Sequence, residues 1–303
     1  MKTVHEVKRI TVSNERINPV EGDVVVCWSK TLWFALHLFG AVVGLVFYAS
    51  WINAAVFVSF AALTLCLGHS IGLHRLLIHQ SFACGRELRW TLVHFGTLVG
   101  MGGPFQMMCM HDIRDWAQRH EHCHDFLSHA KPLWHDALWQ LFCEIRLQHP
   151  PRVAIEKDVM CDPVMQMLQR TWMWQQLPYA VVLYWLGGWG MMLWGISLRI
   201  VVSLVGHWLI NFFAHNQGER DWHLEGHAVQ GYNLPHLGLL TMGEAWHNNH
   251  HAFPGSARFG LKAGQADPSW WALCVMEKLG LVWDLRDAED LPERAELHPL
   301  ISN

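Results

Sequence analysis

Long uncharged apolar runs alternate with polar, histidine-bearing stretches along this chain. Residues 31–50 (TLWFALHLFGAVVGLVFYAS) carry no formal charge. A helix of that length, rising about 1.5 Å per residue, crosses the roughly 30 Å hydrocarbon layer of a bilayer. A tight turn at Trp51, Ile52 and Asn53 leads into a second run, 52–73, which ends at His74 and Arg75. A later pair, 176–194 and 195–214, predicts a second hairpin, with Arg199 near the start of its last helix snorkelling to the interface. Residues 90–110 are also apolar but hold His94, several glycines and Pro104. That mixture predicts either a span or a re-entrant or interfacial segment packed on protein. Four spans in two hairpins return the chain to its starting side. Lys and Arg concentrate in the N-terminal segment and in 110–175, so that side is expected to be cytoplasmic. The pattern therefore predicts an all-α integral membrane protein, about four transmembrane helices with a cytoplasmic helical cap, as one domain over 1–303.

Composition sharpens this picture. Of 303 residues, 51% are hydrophobic and 16% charged, well under the roughly 25% charged of soluble domains. Net charge is -4 with no basic cluster, which excludes a nucleic-acid binder. The eight cysteines form no C-x-x-C pair, so neither a disulfide framework nor a zinc ribbon is expected. The first thirty residues are polar, with Lys2, Lys8, Arg9 and Arg16, and read as neither a signal peptide nor a lipidation site. Two residue types stand out, 22 His and 18 Trp. Tryptophan gathers at membrane interfaces and histidine is the commonest metal ligand.

The histidines fall in four groups, all beside the apolar hairpins and all on one side of the membrane. His74 and His79 are five apart, about 140° round an ideal α-helix, so a regular turn cannot aim both at one ion. They serve two neighbouring ions, or one ion if the helix ends between them. His120, Cys123 and His124, at i, i+3 and i+4, would share one helical face. Asn211 and His215 are at i and i+4 near the end of the last span, where an ionisable group is a site by default. His247, His250 and His251 repeat the i, i+3, i+4 spacing. Eight imidazoles with almost no carboxylate suit iron, copper, nickel or zinc and disfavour calcium or magnesium. That number exceeds the needs of one ion, so two ions are expected. No His-Glu-x-x-His, Gly-x-Ser-x-Gly or phosphate loop is present.

These boxes, in this order around two hairpins, resemble those of the integral-membrane fatty-acyl desaturases, most of all the bacterial acyl-CoA delta-9 type. The likeness runs from about Leu65 to Leu285. Residues 72–82 (GLHRLLIHQSF) look like the family's first box, 211–215 (NFFAH) like its Asn-x-x-x-His element, and 243–254 (GEAWHNNHHAFP) like its last box. Residues 256–258 (SAR), 267–271 (DPSWW) and 279–284 (LGLVWD) resemble the family's C-terminal segments beyond that box. The second box departs: where the family reads His-Arg-x-His-His, residues 120–124 read HEHCH, and the downstream Asp-Pro-His is replaced by 125–129 (DFLSH). Either Cys123 ligates, or His122, His111 or His129 substitutes, or one iron is short of a ligand.

The resemblance implies two ferrous ions held by His74, His79, His120, His124, His215, His247, His250 and His251, with Asn211 acting through a metal-bound water. It implies O2-dependent insertion of a double bond into a long acyl chain carried on CoA, carrier protein or lipid. Electrons would come from a separate donor such as a ferredoxin or a cytochrome b5-like protein, and the location would be a bacterial inner membrane. A membrane di-iron hydroxylase shares the ligands, and an inactive homologue shares the fold. A b-type haem protein would need facing histidines within spans, whereas His37 and His207 are single.

Overall fold

The structure, a computed structural model, describes residues 9–11 and 17–300; Lys2, Lys8 and Arg16 of the basic N-terminal segment lie outside them. It is mostly helical. Among the described residues, three helices are long and apolar enough to cross a membrane: Trp28–Phe47, Trp51–Ile78 and Gln176–Asn216. The first is α1. The second begins as α2, Trp51–Leu63, and continues unbroken as the π-helix Thr64–Ile78. Trp51 to Asn53 are its first turn rather than a loop, capped by Ser50, whose hydroxyl accepts from the Asn53 N–H at 3.2 Å. At 28 residues this helix is roughly 40 Å long, so its π-helical end overshoots the hydrocarbon layer.

Between the membrane helices, 90–110 is not one helix. It divides into α3, Arg86–Leu98, and α4, Pro104–Gln118, with the break at the Gly-Gly-Pro that starts α4. α3 lies directly on the π-helix. A Cβ on Gly68 would sit 2.3 Å from the Phe95 carbonyl carbon, and one on Gly72 would sit 2.5 Å from the Leu92 oxygen, so only glycine permits this approach. Short helices follow: α5 (Asp125–Ser128), α6 (Leu133–Phe142), α7 (Lys157–Met160) and α8 (Pro163–Thr171). Strands Gly22–Val26 and Cys143–Leu147 pair antiparallel, tying the segment before α1 to the one after α6.

The third long helix comprises α9 (Gln176–Met192), a π-helical turn (Leu193–Leu198) and α10 (Arg199–Asn216). Gly187 and Gly188 are non-helical, and Gly188 takes a φ of +64° that only glycine adopts at no cost. The bend folds 176–186 back, and Leu183 packs on Ile196 and Ile200. The second hairpin thus turns at 187–188 rather than at 194–195. Outward-facing residues on these helices are apolar: Leu36, Phe39, Val46 and Phe47 on α1, and Val181, Trp185 and Leu186 on α9 are exposed. A continuous apolar exterior of this kind meets lipid.

Arg199 does not snorkel. It is 1% exposed, and its guanidinium donates to the Leu98 and Gly195 carbonyls and to Gln176 Oε1 at 2.6 Å. Satisfying the open carbonyl end of α3 inside the bundle replaces the water it would otherwise seek. The chain closes with α11 (His247–Ala252) and α12 (Pro268–Lys278), the latter packed on the π-helix. An apolar floor of Leu73, Leu77, Ile78, Val93, Met107, Met108, Met165 and Leu168 joins the π-helix to α3, α4 and α8.

Candidate metal centre

The π-helix resolves the spacing problem of the first box. The His79 N–H donates to the His74 carbonyl at 3.0 Å, an i→i+5 bond. This wider winding brings residues five apart onto one side, and the two ring centroids lie 4.9 Å apart. α4 adds His111, 4.9 Å from His79 and 5.3 Å from His74. α11 adds His250, 4.5 Å from His74 and 4.7 Å from His79. One nitrogen from each of these four imidazoles lies within 4.8 Å of the others. A second group, His215 of α10 with His247 and His251 of α11, meets the same criterion. Its Nε2 atoms converge, His247 at 3.1 Å from His215 and 3.0 Å from His251.

α11 carries residues from both groups because its two asparagines hold it from behind. Asn248 Oδ1 accepts from the Asp221 and Trp222 N–H groups, and its Nδ2 donates to the Trp222 and Gly231 carbonyls. Asn249 donates to the Phe259 carbonyl at 2.8 Å and to Gln265 Oε1 at 2.9 Å. Both are 2% exposed.

A carboxylate and a buried arginine brace the first group. His74 Nδ1 donates to Glu244 at 2.6 Å, which fixes the tautomer and leaves Nε2 as a lone-pair donor. Glu244 also accepts from Ser70 Oγ at 2.5 Å and Arg75 at 3.1 Å. Arg75, fully buried, donates from Nη2 to both Asp267 carboxylate oxygens at 3.0 and 3.1 Å. Burial pushes the Glu244 carboxyl up, but His74 and Arg75 outweigh it and hold it below the usual carboxylate range. Burial drives His79, His247 and His250 well below the ordinary imidazole value, and His251 down to about 4. All are therefore neutral bases at pH 7, the form that binds metal.

The residues fit a bound metal. His74 Nε2, His79 Nε2 and His250 Nδ1 are buried and have no hydrogen-bond partner among the described residues. Orphaned buried nitrogens are costly, and a cation between them removes the cost.

The segment 120–124 is placed elsewhere. α4 ends at Gln118, so His120, Cys123 and His124 share no helical face. His120 Nδ1 donates to the Trp116 carbonyl at 2.8 Å. His124 caps α5, its Nδ1 accepting from the Phe126 N–H at 3.1 Å, and Cys123 packs against the Ala117, Phe126 and Leu127 cluster. His122 is exposed. His129 is buried beside His215, with Nδ1 2.9 Å from Asp136 and Nε2 against Arg114. Asn211 turns its amide to the His207 carbonyl at 2.9 Å, one helical turn before His215. By sequence pattern alone His111 ranks only as a substitute for a second-box ligand. The signal that finds it is the Gly103-Pro104 helix start, which puts His111 two turns into a helix. Counted from His111, the family pattern His-Arg-x-His-His reads His111-Asp112-Ile113-Arg114-Asp115.

No protein-family model matches the chain. An sn-1 stearoyl-lipid 9-desaturase of Anabaena variabilis is 33% identical over 270 residues, 86% of this chain and 94% of its own length. An sn-2 palmitoyl-lipid 9-desaturase of a Nostoc species is 30% identical over 78% of this chain and 79% of its own. An acyl-CoA C20 Delta5-desaturase of Anemone leveillei is 28% identical over 88% and 86%. The chain belongs to the membrane fatty-acyl desaturases. Those enzymes are oxidoreductases acting on fatty-acyl chains, and both the family and the two histidine clusters fit a two-metal centre.

Proposed function

We propose that this protein inserts a double bond into a long acyl chain carried on lipid or CoA, using two irons, O2 and two electrons from a separate donor. In balance, one CH2–CH2 unit, O2, two electrons and two protons give CH=CH and two waters. The observation that carries the reading is the convergence of seven imidazoles into two adjoining clusters at the end of the membrane helices. Bound there, the irons would supply the redox chemistry.

The side chains supply the rest. His74, His79, His111 and His250 would hold one ion and His215, His247 and His251 the other. Glu244 orients His74, Arg75 and Asp267 keep Glu244 in place, and Asn248 and Asn249 aim α11. Four crossings are supported by the three long apolar helices and the fold-back at 187–188, and the basic bias of the loops supports a cytoplasmic face of an inner membrane for the clusters and both termini. An electron donor at that face, a ferredoxin or cytochrome b5-like protein, completes the cycle.

The test is a fatty-acyl profile of a bacterial host expressing the protein or its His250→Ala variant, with double bonds located by mass spectrometry. A new unsaturated chain that needs His250 is expected. A new hydroxyacyl chain would replace this reading with a hydroxylase. An unchanged profile when both proteins insert, bind iron and are given an electron donor would overturn it.

A further inference from the structure

At 11 residues α12 is too short to cross a membrane, yet its outward face is apolar. Trp271, Val275 and the C-cap Leu279, at i, i+4 and i+8, form one stripe, each more than half exposed. Leu281 and Trp283 just beyond are exposed too. The opposite face carries the buried Ser269 and Leu273. The exposed charges of the helix, Glu277 and Lys278, both stand in its last turn.

The packing of α12 fixes its depth. Ser269 Oγ lies 3.6 Å from Cys66 Sγ. Cys66 follows Trp51 by 15 residues, which at about 1.5 Å per residue is no more than about 22 Å along the helix. Trp51, 92% exposed, starts that helix at the far interface, where tryptophan gathers. The hydrocarbon layer is about 30 Å thick, so the first turn of α12 stands inside it, and tilting the long helix only brings it deeper. Leu273 packs with Ile71, Leu76 and Leu92, farther along, so α12 climbs toward the histidine-bearing side and its charges arrive at the shallow end. Its stripe adds to the lipid-facing surface of the helix it packs on, where Ile52 and Val58 are exposed.

We propose that α12 is a membrane-embedded anchor that does not span. Trp271, Val275 and Leu279 lie among the acyl chains of the leaflet on the histidine-bearing side, and Lys278 reaches the lipid phosphates. The anchor is tied to the metal centre. Asp267 caps α12 by accepting from the Trp270 N–H at 3.0 Å, and the same carboxylate takes both bonds from Arg75. The element seated in lipid thus begins at the residue that braces Glu244 and His74. The inference needs the membrane placement of the long helices and nothing of the catalytic reading.

The test uses the full-length protein in the membranes of an expressing host. The photo-crosslinking residue p-benzoylphenylalanine replaces Trp271, Val275, Phe39 or Glu121, one at a time. After irradiation the chain is purified and digested, and its adducts are identified by mass spectrometry. Phe39, outward on α1, reports lipid, and Glu121, exposed beyond α4, reports water. Phospholipid adducts are expected at Trp271, Val275 and Phe39, and none at Glu121. A crosslinked dimer from Trp271 and Val275 would overturn the proposal in favour of a second copy of the chain. A crosslink to another protein would overturn it in favour of a docked partner. Lipid adducts at Phe39 with none at Trp271 and Val275 would place the stripe in water. Lipid adducts at none of the positions would overturn the lipid-facing reading of α1 and α12 together.

Discussion

Residues 120–124 and 247–251 have the same spacing of donor side chains, and they end in opposite circumstances. His247, His250 and His251 sit on a helix whose other face is pinned by seven side-chain hydrogen bonds of Asn248 and Asn249. His120, Cys123 and His124 follow the end of α4, and each satisfies itself locally, on a carbonyl, in an apolar cluster or as a helix cap. Donor spacing therefore proposes a ligand set only where something fixes the helix and its rotation. In the last box the asparagines between the histidines fix both. In 120–124 the intervening residues are an exposed Glu121 and His122, which fix nothing.

The comparison can be broken most severely at α11. His250→Ala removes the imidazole that touches both His74 and His79, and new double bonds should vanish from the acyl profile while the protein still inserts. Asn249→Ala leaves every histidine in place but frees the helix. It should weaken iron binding about 10–100-fold, the usual effect of losing a residue that orients a ligand, as read by competitive chelation. Glu244→Gln should fall in the same range by the same assay, because His74 loses its charged acceptor. Stripping the metal should lower the melting temperature. If each ion is present at about 100 times its dissociation constant, its loss costs about 2.7 kcal/mol, measurable by scanning calorimetry with and without chelator. At the small end, His120→Ala loses one hydrogen bond to a carbonyl. About 1 kcal/mol of stability and less than about twofold in activity should go with it.

The membrane helices and six of the seven clustered histidines are legible because both signals are local. Uncharged runs of spanning length declare themselves, and His74, His79, His215, His247, His250 and His251 stand within or just beyond those runs. The hidden features depend on backbone winding and on partners far along the chain. An i, i+5 pair reads as divergent on an α-helix, and nothing in residues 64–78 announces the π-helical wind that joins His74 to His79. Arg199 reads as a snorkelling cation because its acceptors, Leu98 and Gln176, are brought to it only by folding. His111 was overshadowed by the denser histidines of 120–124. Its membership in the first cluster depends on where α4 begins and on its packing against the π-helix.

That the box after α3 is His111 and not 120–124 is tested most directly by one pair of variants. The acyl profile of cells expressing His111→Ala should contain no new double bond. That of cells expressing the double variant His120→Ala, His124→Ala should match the wild type within about twofold, since only local bonds are lost. Unsaturated product surviving in the first and lost in the second, at equal protein levels, would contradict the assignment of His111.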